Sequence, residues 1–530
     1  MALECWLSDL SELETVISED AGWRYIRMTC DTASKELLDA YTCFVEEISP
    51  NIEPYSDFFN KKLMDSPYLS QLDKEKYKIY IRRVKNDLEL FREENIPLMT
   101  KLSVEEQKYA SLSGAMTIQY KGKDLTLQQA SVYLQEEDRI VREEVYRLIQ
   151  TRRGQNTKEF DELFNNLLAL RFQIAHNAGF TNFRDYKCKA MGRFDYSIMD
   201  CFDFHNAIQR EFIPLIRLAD EDRKKQIQVT DLRPWDMEVD TEHKKPLSPF
   251  SDGEDLIKKA ILCFHRVRPY YGECLREMKK MGRFDLESRK GKAPGGYNYP
   301  LNESGIPFVF MNSVGTHRDL VTMVHEGGHA IHAFLTNDLE LAAFKNYPSE
   351  VAELASMSME LISMEHWDVF FSNPDDLRRA RKEQLEKIIR ILPWIAVVDK
   401  FQHWVYENVN HSIEQRDVAW IRILKEFSSS VVDYSGLESF RTHSWHNQLH
   451  IFEVPFYYIE YGIAQLGALS IWRNYKNNPK KALDAYEAAL KLGYTKSIPE
   501  IYAAAGIRFD FSKDYIHELM VFVTEEYQRL

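Results

Sequence analysis

Paired cysteines are missing from this 530-residue sequence. The seven cysteines, at positions 5, 30, 43, 188, 201, 263 and 274, include no CxxC pair. That excludes a disulfide-stapled secreted scaffold and a thiolate zinc ribbon, and it fits a reducing interior. Long apolar runs are also missing. The stretch at 391–398, ILPWIAVV, is among the longest and is far too short to cross a bilayer. The opening MALECWLSDLSELE carries acids where a signal peptide would carry a basic and then an apolar segment. Basic excess is absent as well: the formal charge is -14. Phosphate neutralisation needs clustered Lys and Arg, so a nucleic-acid binder is excluded. The small basic run Arg223, Lys224 and Lys225 follows acidic residues and reads as a solvated helix face. The expectation is a cytoplasmic protein without membrane or nucleic-acid partners.

Strand signals are sparse, and most of the chain reads as amphipathic helix punctuated by Pro, Gly, Asn and Asp. Residues 74–91, 137–152 and 161–178 are clear examples. Residues 117–127 (TIQYKGKDLTL) alternate around Lys-Gly and predict a hairpin, and residues 306–312 (IPFVFMN) predict a strand. Two stretches are irregular, 239–254 and 288–305. The second contains GKAPGG, which is no phosphate loop because no Gly-Lys-Ser/Thr follows. Its Gly295 and Gly296 fit either a flexible loop or a place where backbone approaches a ligand. Spacing suggests an N-terminal helical region over 1–190 and a catalytic region over 191–530.

What the sequence does have is TMVHEGGHAIHAFL, residues 322–335. Thr316 with Asp319 three residues on predicts a capped helix start, and Leu320, Val321 and Val324 supply its apolar face. His325 and His329 lie one turn apart, so both imidazoles can reach one ion, while Glu326 is rotated about 100° to stand beside that ion. This is the HExxH arrangement of zinc hydrolases. Packed histidines that bind nothing would explain the spacing alone. They do not explain Gly327 and Gly328, each of which weakens a helix by roughly 1 kcal/mol against alanine. Small residues there predict a close approach by strand, metal or substrate. His332 is a decoy. Three rings at i, i+4 and i+7 spread over about 10 Å of helix, too far for one ion, so His332 is expected to pack or hydrogen-bond.

A third ligand must come from elsewhere. The next strong helix, SEVAELASMSMELISME from position 349, offers Glu350, Glu353 and Glu360 on one face. Glu350 sits in the first turn, where the helix dipole alone explains a carboxylate. Glu353 lies beside the apolar stripe, where a carboxylate needs a partner. Spacing favours Glu353 without deciding the matter.

The segments PFVFMNSVGTHRDLVTMVHEGGHAIHAF, YPSEVAELASMSMEL and HIFEVPFYYIEYGIAQLGALSIW occur in that order. Together they resemble the oligoendopeptidase F and Pz-peptidase branch of the thimet and neurolysin-like zinc oligopeptidases. EDRIVREEVYRL and AHNAGFTNFRDYKCKAMGRFDY extend the likeness into the N-terminal half. The resemblance implies a mainly α, zincin-like helical clamshell with a deep substrate cleft and a small β-sheet beside the HExxH helix. It implies one zinc per chain on His325, His329 and Glu353, and hydrolysis of short peptides. It also implies that His450 and two tyrosines three apart stabilise the oxyanion. Tyr458 and Tyr461 have that spacing, but the gap from His450 is one residue short, so Tyr457 stays an alternative to Tyr458. Pro455 is expected in the first turn of the helix that carries them.

The expected function is therefore a zinc metallopeptidase cutting internal bonds of oligopeptides, with Glu326 as general base. The strand near residues 308–312 is expected to pair with substrate backbone. The alternatives are a zinc carboxypeptidase on a related helical scaffold and a catalytically silent peptide clamp. The intact Glu326 argues against the clamp.

Overall fold

A computed structural model describes residues 2–242, 244–293 and 295–530. Each irregular stretch therefore has one residue outside the described set, His243 and Pro294. Helices dominate, and the anticipated ones form at Lys74–Leu90, Arg139–Gly154 and Thr157–Asn177. Around them, residues 239–252 stay irregular as far as described, and the next helix starts at Gly253 under an Asp252 cap. Among the described residues no helix is long and apolar enough to cross a membrane, and all seven cysteines are free.

Five short strands are present among the described residues. β1 (Thr117–Tyr120) and β2 (Lys123–Thr126) form the expected hairpin, turned by Lys121 and Gly122 at positive φ. β3 (Phe284–Glu287), β4 (Tyr297–Tyr299) and β5 (Phe308–Ser313) form a three-stranded sheet in the order β3-β5-β4. β5 runs parallel to β3 and antiparallel to β4. Side chains alternate across a strand, and here each face of β5 meets a different layer. Val309 and Met311 join the main hydrophobic core, while Phe308 and Phe310 pack with Ile26 and Leu301. Ile26 belongs to the N-terminal helix Ala2–Cys30, which lies against the sheet. Trp23 meets Phe308 edge-on, and the Thr29 and Tyr297 hydroxyls are 2.6 Å apart.

This sheet topology corrects one expectation. β5 has a neighbour on each side and cannot offer its backbone to a substrate, whereas β4 is an edge strand. The glycines before β4 serve that edge. Gly295 adopts φ 98°, and a Cβ on Gly296 would come within 3.3 Å of the Phe310 carbonyl oxygen.

Candidate active site

The histidine helix, His317–Thr336, starts at a complete capping box: Thr316 and Asp319 each bond the other's backbone N–H. Packed against it is the glutamate helix, Ser349–Ser363, which also lies against the tyrosine helix, Tyr458–Asn477. The glycine pair explains how close these elements come. A Cβ on Gly327 would lie 2.4 Å from the Phe264 ring, and one on Gly328 would lie 2.7 Å from Ser356 Cα. The close approach is thus by neighbouring helices, not by strand, metal or substrate as the sequence suggested. Its consequence reaches the site, because Ser356 is one turn from Glu353.

His325 Nε2 lies 3.4 Å, and His329 Nε2 3.8 Å, from the same Glu353 oxygen, Oε2. The two rings are nearly perpendicular, with centroids 4.9 Å apart. Ser356 Oγ donates to Glu353 Oε2 at 3.0 Å, and the Tyr457 hydroxyl donates to Oε1 at 3.1 Å. Both donors are neutral, and no Lys or Arg pairs with Glu353 among the described residues. Buried charge needs a partner, and a carboxylate facing two imidazole nitrogens suits a divalent zinc ion. Glu350 points elsewhere, accepting from the Tyr196 hydroxyl at 2.7 Å. His332 is fully buried and stacked on Tyr347 with centroids 3.6 Å apart, and its burial drives its pKa down to about 3.

Sequence spacing placed Glu360 on the right face but gave it no task. In the structure its Oε1 is 2.7 Å from His325 Nδ1, and Gln384 Nε2 donates to its Oε2 at 2.6 Å. A carboxylate behind an imidazole fixes the ring and its tautomer, leaving Nε2 turned to the site. Burial lowers the His325 pKa, but the Glu360 bond and the charges of Glu353 and Glu360 outweigh it and raise the ring to about 9. Glu326 is buried beside this group. Desolvation, and to a lesser degree Glu353, raise its pKa to about 7 against the opposing charge of His325. Asn298 of β4 donates to the Glu326 carbonyl at 3.3 Å, tying the edge strand to the histidine helix.

The remaining side chains arrive on a braced turn. Pro455 is not in the tyrosine helix, which starts at Tyr458; it precedes Phe456, which adopts φ 67°. A bulky residue at positive φ is strained and needs surrounding support. Gln402 Oε1 accepts from the Phe456 N–H at 2.8 Å, and Arg193 donates to its carbonyl. Beyond that turn, His450 gathers the three tyrosines, with ring centroids at 6.1 Å for Tyr457, 4.7 Å for Tyr458 and 5.8 Å for Tyr461. Tyr458 is the most deeply buried of the three, and its pKa rises to about 12 by desolvation. Desolvation also pushes Tyr457 and Tyr461 well above the ordinary phenol value. All three therefore remain proton donors.

The His450 tautomer follows from two neighbours that sequence gave no reason to choose. Trp394 Nε1, which can only donate, bonds Gln448 Oε1 at 2.9 Å. The amide nitrogen of Gln448 must then be the end that meets His450 Nδ1, at 2.6 Å. So Nδ1 accepts and Nε2 carries the proton. Burial lowers the His450 pKa to about 4, keeping the ring neutral near pH 7.

Comparison with known proteins adds to this geometry. Residues 132–521 match Peptidase family M3, and residues 2–91 match the Peptidase M3 N-terminal domain. The oligoendopeptidase F homolog of Borreliella burgdorferi is 24% identical over 383 residues, covering 70% of this chain and 62% of that protein. The oligoendopeptidase F homolog of Lactococcus lactis subsp. lactis is 23% identical over 320 residues, covering 58% of this chain and 50% of that protein. The aligned stretch thus spans half to under two thirds of these curated relatives. The solved structure of Pz peptidase A with an inhibitor matches 99% of this chain and 92% of its own, with a TM-score of 0.92 and 26% identity.

Proposed function

The chain belongs to Peptidase family M3, and we propose that it is a cytoplasmic zinc metalloendopeptidase that cuts internal bonds of short peptides. The observation that carries this reading is the Glu353 carboxylate, brought by one helix to face both HExxH imidazoles of another. His325, His329 and Glu353 would hold one zinc ion. Bound there, zinc would polarise the scissile carbonyl and lower the pKa of water towards about 7. Glu326 accepts the proton of the attacking water and passes it to the leaving amine, a task suited to a carboxyl with a pKa near neutrality. His450 Nε2–H and the Tyr461 hydroxyl donate to the oxygen that becomes negative as the carbonyl turns tetrahedral. Tyr457 holds the Glu353 carboxylate, and the β4 edge pairs with the peptide backbone, which tolerates many side chains. The free thiols support the cytoplasmic placement.

A mixed peptide library read by mass spectrometry tests the reading. Internal cuts that disappear with chelator are expected. Trimming of single C-terminal residues would instead identify a carboxypeptidase. Glu326→Gln should retain metal and lose nearly all turnover, and a rate within about tenfold of the parent, about 1.4 kcal/mol in barrier, would mean another base. The metal held by His325 and His329 should be lost from Glu353→Ala and kept by Glu350→Ala.

A further inference from the structure

A second cluster of ligand-type side chains lies buried between the helices Ile198–Gln226 and Pro374–Glu407. Each helix contributes two residues one turn apart: Cys201 and His205 from the first, Asp399 and His403 from the second. All four are buried. Ligand atoms of Cys201, Asp399 and His403 lie within 4.8 Å of one another, just as those of His325, His329 and Glu353 do. His403 Nε2 is 3.2 Å from Asp399 Oδ2, and His205 Nε2 is 2.8 Å from the same oxygen.

Hydrogen bonding accounts for only part of this cluster. The Nε2 atoms of His205 and His403 both turn to Asp399 Oδ2, at 2.8 and 3.2 Å. The other carboxylate oxygen, Oδ1, and the Nδ1 atoms of both rings are left buried without a hydrogen-bond partner. Buried polar atoms are nearly always satisfied, and exceptions point to a missing water or ion. No Lys or Arg pairs with the carboxylate among the described residues, where its ion-pair partners are the two histidines. The Arg193 guanidinium is committed to Glu460 at 2.8 Å and to the Phe456 carbonyl. A similar group, Asp161 with His443 and His446, differs on this point. There Arg416 sits 3.1 Å from Asp161 Oδ1 and supplies the positive charge.

We propose that Cys201, Asp399 and His403 bind a second divalent ion of the zinc type, with His205 orienting the Asp399 carboxylate. A thiolate and a carboxylate neutralise a dication inside a buried interface, and the mixed S, O and N donors suit zinc or cobalt(II) rather than calcium or magnesium. The carboxylate–histidine contact is the usual way such a ligand is held from behind. The site is structural. His403 meets the Phe456 ring edge-on at 5.3 Å, and its neighbour Gln402 holds the Phe456 N–H. An ion here would therefore pin two helices behind the turn that delivers the tyrosines.

Loading the full-length protein with cobalt(II) separates the two sites, because only the second contains sulfur. Two equivalents are expected in the parent, with the intense near-ultraviolet charge-transfer band of a cobalt thiolate. Cys201→Ala should bind one equivalent without the band, and that retained equivalent reports that the variant is folded. Glu353→Ala should bind one equivalent and keep the band. A parent without the band, or a band that survives in Cys201→Ala, overturns the proposal.

Discussion

Three tyrosines share the neighbourhood of His450, but their surroundings give them different work. Tyr461 fits the oxyanion role because it stands among donors with no carboxylate of its own to hold. Losing one such donor costs roughly 100- to 1000-fold in kcat, with little change in KM when the bond strengthens only in the transition state. That split is expected for Tyr461→Phe. Tyr457→Phe should instead weaken metal retention, since its hydroxyl bonds Glu353. Tyr458→Phe should stay near the parent rate, because its ring is the most buried of the three and packs against His450. A large kcat loss in Tyr458→Phe with Tyr461→Phe unaffected would reverse the assignment. His450 gives a test in pH. With its pKa lowered to about 4, the parent ring is neutral from pH 5 upward and donates through Nε2. Gln448→Glu puts a carboxylate at Nδ1, which favours the Nδ1–H tautomer and the imidazolium. The Nε2 proton would then survive only below the raised His450 pKa. The variant's kcat should therefore fall as pH rises through neutrality, over a range where the parent shows no such limb from His450. Unchanged pH profiles would remove the Trp394–Gln448 pair from the mechanism.

Helix contacts, more than loops, set the position of these groups. Gly328 lets the glutamate helix approach to where an alanine methyl would lie 2.7 Å from Ser356 Cα and 2.9 Å from the Ala355 carbonyl oxygen. Backbone cannot rotate out of the way as a side chain can, so Gly328→Ala must push the two helices apart. Overpacking of this kind costs typically about 1–3 kcal/mol, and here it would also draw Glu353 away from His325 and His329. The variant is expected to stay folded, with a lower melting temperature and metal affinity reduced at least tenfold. Full metal affinity in Gly328→Ala would mean the glycine serves packing alone. Such contacts also mark the limit of what was legible in the sequence. One-turn histidine spacing, the Thr316–Asp319 box and the hairpin at Lys121–Gly122 are local, and local rules recovered them. The start of the tyrosine helix was misplaced because Phe456 takes positive φ, a conformation held by Gln402 and Arg193 from distant segments. Strand β5 looked available because its run is apolar, yet a run buried on both faces is what a central strand needs. Glu360 had the right spacing, and only its place behind the His325 ring supplied the role.

At the scale of the whole molecule, the first helix of the chain supports the three-stranded sheet about 280 residues later. Gly22 faces Tyr299 of β4 so closely that a Cβ there would lie 2.5 Å from the ring, and Tyr25 packs on both Tyr297 and Tyr299. β4 in turn reaches the histidine helix through Asn298. The N-terminal helix therefore sets the height of the edge strand above the site, although it contributes no ligand and no base. Gly22→Val should use this connection as a lever. The added branches must displace the Tyr299 ring, which packs on Tyr25 and is carried by β4. Metal binding should be unaffected, because His325, His329 and Glu353 sit on other helices, which pack directly on each other. Binding of a peptide along β4 should suffer, since a strand added to an edge depends on backbone register. The expected result is KM for a short peptide raised several-fold, with metal content at the parent value and kcat changed less than KM. A parent-like KM, with thermal unfolding lowered enough to show that the contact was disturbed, would mean that peptides do not bind along β4. A fall in kcat alone would place the strand's influence on Glu326 through the Asn298 bond instead.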